Sequence, residues 1–251
     1  MTAFTLDGRT ALVTGASRGI GRAIAVALAA QGAAVALGGR DLDALEETRA
    51  AIGADNAVVV PADVTDPAAI REMVSTAIGA LGHLDIVVNN AGGNTFSVPF
   101  DAMRPDGWDK VLRLNLDSVV EVCRTVAPHL LGRGSGSVIN VASVSALVAM
   151  PGMSHYAAAK AAVVSLSRSL AVEWAGQGVR CNALVPGWVA TDLTDFARAD
   201  PKLERYLIGR VPMGRWATPE EIAGPAVFLA ADASAFVTGH TLVVDGGLTV
   251  G

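Results

Sequence analysis

The stretch Thr10-Ala11-Leu12-Val13-Thr14-Gly15-Ala16-Ser17-Arg18-Gly19-Ile20-Gly21 joins a short apolar run to a glycine-rich turn, and an Ala-rich segment follows it. The apolar run predicts a strand, and the Ala-rich segment predicts a helix. Backbone N–H groups at the start of such a helix attract an anion, and glycine lets a pyrophosphate approach the backbone. The stretch therefore indicates a dinucleotide-binding fold. Because its spacing is G-x-x-x-G-x-G and not G-x-G-x-x-G, glycines placed only for packing remain an alternative.

Short apolar runs alternate with longer amphipathic ones along the rest of the chain. We predict strands over residues 10–14, 34–38, 57–61, 84–88, 137–141, 179–185 and 241–244, and helices over residues 20–30, 42–52, 68–80, 107–127, 155–175 and 219–230. Strands that are apolar at consecutive positions are typical of a parallel sheet with both faces covered. The predicted fold class is α/β: a single-domain, doubly wound (Rossmann) parallel sheet of about seven strands flanked by helices. This dinucleotide-binding and catalytic domain spans residues 1–251, with a substrate flap at about residues 188–213.

Composition argues against several classes of protein. The 251 residues carry a formal net charge of −5 and no run of Lys or Arg, so the sequence predicts no nucleic-acid partner. Two cysteines are too few for a disulfide framework, and the four histidines have no ligand spacing, so we expect no metal site. The apolar stretch 23–39 is interrupted by Gln31 and Gly32, and the first ten residues lack a basic region before an apolar one. We therefore predict no membrane span, no signal peptide and a cytoplasmic location.

The position after the second predicted strand bears on the choice of nicotinamide cofactor. An NAD site usually has a carboxylate there that accepts a hydrogen bond from the ribose 2′-hydroxyl, but this chain has Gly39 followed by Arg40. Arg40 and Arg18 supply guanidinium groups that bind a 2′-phosphate through paired hydrogen bonds. The sequence therefore favours NADP(H) over NAD(H). In the alternative interpretation, Arg40 only pairs with Asp41 or Asp43 in solvent.

Tyr156-Ala157-Ala158-Ala159-Lys160 places a phenol and an ammonium one turn apart on the predicted helix 155–175. A phenol with its usual pKa of about 10 is protonated at neutral pH, so it can donate a proton. The phenolate, which would act as the base, is almost absent at that pH. An ammonium about 4 Å away is worth about 4 kcal/mol at an intermediate dielectric, which corresponds to roughly 3 pKa units. We therefore expect Lys160 to lower the pKa of Tyr156 into the range of a general acid and base. The alternative is an aromatic residue and a surface lysine that are neighbours by chance.

The same glycine turn also matches a different signature. Gly15-Ala16-Ser17-Arg18-Gly19 is G-x-S-x-G, the nucleophile elbow of serine hydrolases. Such an elbow needs earlier strands that supply an oxyanion-hole loop, and only fourteen residues precede Gly15. Asp232 and His240 are candidate partners for Ser17, but a chain of this length would offer such a pair by chance. A serine hydrolase is therefore the least favoured of the functions considered for this chain.

Several large side chains lie near the predicted carboxyl ends of the strands, where ligands bind in such sheets. They are predicted either to line an apolar substrate pocket or to be ordinary core and subunit contacts, and they comprise Phe96, Leu147, Met150, Met153 and Trp188. His155 adjoins Tyr156, but neighbouring helical positions do not face each other, so we predict a structural role for it.

Together these motifs resemble those of the short-chain dehydrogenase/reductase family, in its compact form, over essentially the whole chain, and the chain resembles its 3-oxoacyl-carrier-protein reductase-like members. Residues 14–21 resemble the family's TGxxxGxG loop, residues 89–92 its NNAG element and residues 156–160 its YxxxK. Asp63-Val64 resembles its adenine contact, and Pro186-Gly187 with Thr191 its PGxxxT turn. The resemblance implies four catalytic residues, Asn115, Ser143, Tyr156 and Lys160. It implies cofactor contacts from Gly15, Ser17, Arg18, Gly19, Ile20, Gly21, Arg40, Asp63, Val64, Asn90, Ala91, Gly92, Tyr156, Lys160, Pro186, Gly187, Val189 and Thr191.

The activity that this resemblance implies is hydride transfer between the nicotinamide of NADP(H) and a small-molecule ketone or secondary alcohol. Tyr156 would protonate the developing alkoxide, and Ser143 would hydrogen-bond the same oxygen. Lys160 would lower the pKa of Tyr156 and bind the ribose, and Asn115 would hold a water that relays the replacement proton. The resemblance also implies a homotetramer. A nucleotide-sensing regulator on the same fold is the alternative, and 3-oxoacyl thioesters and sugar-derived, steroid and aromatic ketones all remain open as substrates.

Overall fold

Seven parallel strands form one sheet in residues 3–251, which are the residues that the computed structural model describes. They are β1 (Thr10–Thr14), β2 (Ala34–Gly39), β3 (Ala57–Pro61), β4 (Ile86–Asn89), β5 (Gly136–Val141), β6 (Val179–Pro186) and β7 (Thr241–Val244). Their order is β3-β2-β1-β4-β5-β6-β7, and every adjacent pair is parallel. The predicted doubly wound α/β fold is confirmed. Met1 and Thr2, which the predicted domain 1–251 includes, lie outside the described residues.

Helices cover both faces of this sheet. On one face lie α1 (Gly19–Ala30), α2 (Leu42–Ile52) and α9 (Pro219–Ala230), and on the other α3 (Pro67–Leu81), α5 (Ser118–Arg133) and α6 (Ser154–Trp174). All five residues of β1 are buried, with Leu12 in one core and Ala11 and Val13 in the other. This two-sided burial explains why the strands are continuously apolar. Within residues 3–251, no helix combines the length and the apolarity that crossing a lipid bilayer requires.

Capping residues determine where several helices begin. The Asp41 carboxylate accepts a hydrogen bond from Ala44 N at 3.2 Å at the start of α2, and Asp66 accepts from Ala68 N at 2.8 Å at the start of α3. Thr218 and Glu221 form a capping box at the start of α9. Such caps satisfy backbone N–H groups that have no partner inside the helix. The predicted bounds 42–52 and 219–230 are confirmed.

The predicted single helix 107–127 is wrong. The structure has α4 (Pro105–Leu112), a π-helical segment (Arg113–Asp117) and then α5, which continues to Arg133. A π-helical turn accommodates an extra residue, so the side chains after it face a different direction from those of an uninterrupted α-helix. The apolar pattern alone gives no sign of this insertion.

The segment between β6 and α9 contains two short helices, α7 (Asp195–Arg198) and α8 (Pro201–Ile208). Asp200 caps α8 by accepting hydrogen bonds from Lys202 N and Leu203 N. Glu204 of α8 accepts a hydrogen bond from Trp216 Nε1 at 2.9 Å, which ties the helix to the chain that follows it. Helices therefore occupy much of the predicted flap region 188–213.

Candidate active site

The strand order reverses between β1 and β4, because β2 and β3 lie beyond β1 whereas β5, β6 and β7 lie beyond β4. Ligands of open α/β sheets bind outside the carboxyl ends of the strands at such a switch point. The glycine-rich loop follows β1 at this edge, and the Asn90-Ala91-Gly92 segment follows β4. Ser143 follows β5, and the turn that leads to Thr191 follows β6. The topology thus brings four predicted site segments to one edge of the sheet.

Thr14 and Asn90 join the glycine-rich loop to the end of β4. The Thr14 hydroxyl accepts hydrogen bonds from Asn90 N at 3.0 Å and Ala91 N at 3.1 Å, and it donates to Val88 O at 3.3 Å. Asn90 Nδ2 donates to Thr14 O at 3.0 Å and to Gly15 O at 3.2 Å. Asn90, a predicted cofactor residue, therefore also braces the loop with its side chain.

Gly15 and Gly21 are required by packing inside the loop. A Cβ at Gly21 would lie 2.1 Å from Gly15 O and 2.4 Å from Asn90 Nδ2. Gly15 has φ +66°, and its Cβ would lie 2.9 Å from Ala91 Cα. The packing interpretation offered from the sequence therefore applies at these two positions. It does not exclude the ligand interpretation, because the same close packing places backbone N–H groups at the crevice.

The N-terminus of α1 suits an anion. Its first turn consists of Gly19, Ile20, Gly21 and Arg22, so it carries no carboxylate, and the Arg18 side chain at the N-cap does not hydrogen-bond to the helix. The helix dipole and the N–H groups of this turn favour negative charge. A pyrophosphate fits this chemistry, and the backbone from Ser17 to Gly21 would hold it.

Two exposed arginines stand beside the loop in weak ion pairs. Arg40 Nη1 lies 3.8 Å from Asp63 Oδ2, and Arg18 Nη1 lies 3.4 Å from Asp192 Oδ2, with the arginine side chains 74% and 75% exposed. Arg40 therefore faces Asp63, not Asp41, whose carboxylate caps α2. The Thr65 N–H, 2.9 Å from Asp63 Oδ1, lowers the pKa of Asp63, and Arg40 contributes in the same direction. Exposed ion pairs of this kind contribute little to the free energy of folding, so a phosphate could replace the carboxylate as the partner of either guanidinium group.

Asn115 lies on the π-helical segment and is fully buried. Its Nδ2 donates hydrogen bonds to Gly93 O at 2.9 Å and to Val111 O at 3.0 Å, and its Oδ1 accepts from Gly93 N at 2.9 Å. π-Helical turns occur often at functional sites because they redirect side chains. Here the turn directs the amide to the segment after β4 and holds Gly93 at both backbone polar atoms.

Lys160 is buried on α6, with 3% of its surface exposed, and Nζ donates a hydrogen bond to Val141 O at 2.9 Å. Burial lowers the pKa of Lys160 to about 8. A Cβ at Gly92 would lie 3.1 Å from Lys160 Nζ and 2.8 Å from Asn115 Oδ1. Lys160 and Asn115 therefore approach the same point, beside Gly92. An ammonium has three donors, so those that Val141 does not accept suit the hydroxyls of a ribose.

Tyr156 lies one turn before Lys160 on α6, and Lys160 Nζ lies 5.7 Å from the centre of its ring. The expected lowering of the Tyr156 pKa is wrong for this structure. Burial raises the pKa of Tyr156 to about 12, and the interaction with the Ser143 side chain offsets only part of that rise. The sequence argument counted the attraction of the ammonium but not the desolvation of the phenolate.

Ser143 follows β5 and begins a short 3₁₀ turn, Val144–Ala146. Its hydroxyl accepts a hydrogen bond from Ser145 N at 3.2 Å and donates to Ser145 Oγ at 3.3 Å. The turn that Ser143 begins packs on α6, the helix that carries Tyr156. The structure therefore brings together Ser143, Tyr156, Lys160 and Asn115, as the motifs predict.

The turn after β6 leads from the sheet to the glycine-rich loop. Gly187 N donates to Val244 O at 2.9 Å, and a Cβ at Gly187 would lie 2.7 Å from Asp245 Cα, so this crossing requires glycine. Val189 pairs with Ala217 in an isolated bridge. Thr191 Cγ2 would lie 3.3 Å from a Cβ at Gly19, which places the start of the flap beside α1. The predicted cofactor residues from Pro186 to Thr191 thus lie along one edge of the crevice.

Two features of the site were not predicted. Asn94 Oδ1 lies 2.9 Å from His155 Nε2, although the residues are 61 positions apart. Trp188, the first residue of the predicted flap, packs edge to face on Trp216, with ring centres 5.9 Å apart. For the first of these features, the sequence offered two signals: Asn94 follows the NNAG element, and His155 precedes Tyr156.

The serine hydrolase interpretation has no assembled triad. Ser17 lies at the carboxyl edge of the sheet, after β1. Asp232 pairs with Arg9, which precedes β1, at 3.2 Å, and His240 immediately precedes β7. In a parallel sheet these two candidate partners lie at the amino edge, across the sheet from Ser17.

Comparisons with known proteins identify the family of this chain. The family model described as enoyl-(acyl carrier protein) reductase matches residues 15–249. A gluconate 5-dehydrogenase of Gluconobacter oxydans is 40% identical over 249 residues, covering 98% of this chain and 97% of the relative. A 3-oxoacyl-[acyl-carrier-protein] reductase of Thermotoga maritima is 36% identical over 249 residues, covering 98% and 99%. The crystal structure of a gluconate 5-dehydrogenase from Burkholderia cenocepacia, in complex with NADP and tartrate, has a TM-score of 0.94 and 39% identity, covering 99% and 98%.

Proposed function

This chain belongs to the short-chain dehydrogenase/reductase family of oxidoreductases, which act on CH–OH and C=O groups, and from that premise we propose an NADP(H)-dependent enzyme. It transfers a hydride between the nicotinamide and a ketone or secondary alcohol, with Tyr156 as general acid and base. One observation carries this proposal. Lys160 Nζ and Asn115 Oδ1 approach a single point beside Gly92, one helical turn from Tyr156.

The residues of the site divide the remaining chemistry among them. When bound, the nicotinamide cofactor supplies the hydride. Tyr156 donates its proton to the developing alkoxide, because a phenol is protonated at neutral pH. Ser143 hydrogen-bonds the same oxygen, where negative charge develops.

Lys160 and Asn115 serve the proton supply. Lys160 would bind the ribose hydroxyls of the cofactor with the ammonium hydrogens that Val141 O does not accept. Both amide hydrogens of Asn115 are engaged by Gly93 O and Val111 O. Asn115 therefore holds the relay water through an oxygen acceptor, and the replacement proton reaches Tyr156 through Lys160.

NADP(H) is the proposed cofactor, with NAD(H) as the alternative. β2 ends in Gly39 and is followed by Arg40, so the usual acidic partner of the 2′-hydroxyl is replaced by a cation. Arg18 and Arg40 lie beside the loop in weak ion pairs that a phosphate can displace. The Burkholderia cenocepacia relative, crystallised with NADP, is consistent with this choice.

The flap, the assembly and the location are proposed from the same family membership. Residues 188–213 form the substrate flap, because Leu193 Cδ1 would lie 3.5 Å from a Cβ at Gly93 and Thr191 adjoins Gly19. We propose a homotetramer in the cytoplasm with a small-molecule carbonyl or alcohol as substrate. Multi-angle light scattering of the purified chain tests the assembly.

The decay of NADPH absorbance against a panel of ketones tests the activity. The panel contains a 3-oxoacyl thioester, a sugar-derived ketone, a steroid and an aromatic ketone, with NADH in parallel and ester hydrolysis as a control. Turnover of any ketone with NADPH supports the proposal. NADPH binding without turnover of any ketone would favour a nucleotide sensor on the same fold.

A further inference from the structure

Asn94 and His155 form a hydrogen-bonded pair beside the proposed catalytic tyrosine. Asn94 Oδ1 lies 2.9 Å from His155 Nε2. Asn94 Nδ2 donates to Phe96 O at 2.6 Å and contacts Met153 Sδ at 3.2 Å. The Phe96 ring stacks on the His155 ring, with centres 4.5 Å apart and planes 8° apart. We call the Asn94–His155 hydrogen bond with this stacked ring the clasp.

The partners of Asn94 determine which nitrogen of His155 carries the proton. Asn94 Nδ2 is a donor to Phe96 O, so Oδ1 is the acceptor and His155 Nε2 must bear the hydrogen. His155 Nδ1 is buried and has no hydrogen-bond partner within residues 3–251. A second proton on the ring would therefore be buried without an acceptor, and burial accordingly lowers the pKa of His155. In the clasp, the neutral His155 ring therefore donates a hydrogen bond from Nε2 to Asn94 Oδ1.

The clasp holds a loop that the catalytic residues also contact. Residues 93–98 follow the Gly92 position that Lys160 and Asn115 approach. Gly93 is bonded through both backbone polar atoms to Asn115, and Val98 N donates to Gly152 O at 3.1 Å. The clasp fastens the middle of the loop to α6 at the residue before Tyr156. The loop is therefore attached at three points, and His155 provides the central one.

A phenylalanine would fill the buried position of His155 and stack on Phe96 without leaving a nitrogen unpartnered. What histidine adds is the hydrogen bond to Asn94. We propose that His155 is a substrate-positioning residue, which holds loop 93–98 as a fixed wall of the substrate cleft through Asn94. This inference rests on the proposed function, because the substrate is the ketone or alcohol of that reaction.

The test compares two variants that differ in the donor at one position. His155→Phe keeps the stacked ring and removes the donor, whereas His155→Gln restores an N–H donor near the place of Nε2. In the NADPH-bound protein, we expect hydrogen exchange of the Gly93 and Val98 amides to accelerate in His155→Phe and to return toward the wild-type rate in His155→Gln. The KM for a ketone should rise about tenfold in His155→Phe, as expected for loss of one hydrogen bond, while the Kd for NADPH and kcat change by less than about threefold.

Wild-type exchange rates in His155→Phe, or a failure of His155→Gln to restore them, would overturn the proposal. Equal loss of NADPH affinity would also overturn it, because a general structural role predicts that result. If His155→Phe does not fold, Asn94→Leu removes the acceptor of the same bond and must give the same exchange pattern. If the wild type reduces no ketone, the proposed function fails, whereas the exchange measurement still decides whether the clasp holds the loop.

Discussion

The proposed cofactor side of the crevice, around β1, and the proposed catalytic side, around β5 and α6, are built from different kinds of contact. Around β1 the loop is held by backbone and neutral amide groups at contact distance, as in the approach of Gly21 to Gly15 O. Around β5 and α6 the site is held by desolvated ionisable groups, Tyr156 and Lys160, whose pKa values burial shifts in opposite directions. Because of this difference, we expect substitutions on the cofactor side to lower the free energy of unfolding and the affinity for NADPH. Substitutions on the catalytic side should lower kcat and alter the pH dependence of the protein.

The largest expected effect is on the catalytic side. Tyr156→Phe removes the proton donor and should lower kcat for ketone reduction by about a thousandfold, within the usual range for general acid catalysis. The Kd for NADPH and the free energy of unfolding should stay near their wild-type values. Stopped-flow turnover and fluorescence titration measure these quantities. A kcat of Tyr156→Phe near the wild-type value would remove the assigned role of Tyr156.

A methyl group on the cofactor side should give the opposite pattern. Gly21→Ala places a Cβ 2.1 Å from Gly15 O, so the loop must move. We expect a loss of about 3 kcal/mol in the free energy of unfolding and a large loss of NADPH affinity. Urea denaturation and NADPH titration measure both. Gly79→Ala in α3 is the control, because nothing lies within 4 Å of its added Cβ, and it should be slightly stabilising. Equal stability of the two variants would contradict the packing argument.

The next largest expected effect is on the pH dependence of the free energy of unfolding, and it comes from the catalytic side. The folded pKa of Lys160 is about 8 and its ordinary value is 10.5, so between these values the unfolded chain binds more protons than the folded one. The free energy of unfolding of the cofactor-free protein should therefore rise by about 2 kcal/mol from about pH 8 to about pH 10, relative to Lys160→Met. Urea denaturation at each pH, with the exposed Lys110→Met as control, measures this. Parallel curves for wild type and Lys160→Met would show that Lys160 is not desolvated.

The smallest effect concerns the exposed cations of the cofactor side. Arg40→Asp should lower the ratio of NADPH to NADH affinity by about tenfold or more, because it replaces a phosphate-binding cation with a carboxylate suited to the 2′-hydroxyl. Parallel titrations with the two cofactors give the ratio. Arg104→Asp, which lies in an exposed loop and pairs only locally with Asp106, should leave it unchanged. A constant ratio in Arg40→Asp would favour the view that Arg40 serves only its pair with Asp63.

The sheet was predictable because its strands are buried on both faces, so that apolar runs such as residues 57–61 mark them directly. β4 begins later than predicted, since Leu84 N donates to His129 Nε2 and lies outside the ladder. That Tyr156 and Lys160 share one side of α6 was predictable, because they lie one helical turn apart in the sequence. The Tyr156 pKa was not predictable, because desolvation depends on side chains from distant segments. The clasp was not predictable either, since its partners meet only after the fold forms.

The π-helical segment Arg113–Asp117 joins α4 to α5, and together they form one continuous helical rod. The extra residue rotates the second half of the rod about its axis relative to the first, so a single run of chain presents two different stripes. Its first half and the π-helical segment pack on α6, which carries the proposed proton donor, and its second half packs on α3. Removing one residue from this turn would therefore disturb the packing on α6 and on α3 at once, even though no atom of the glycine-rich loop had been changed.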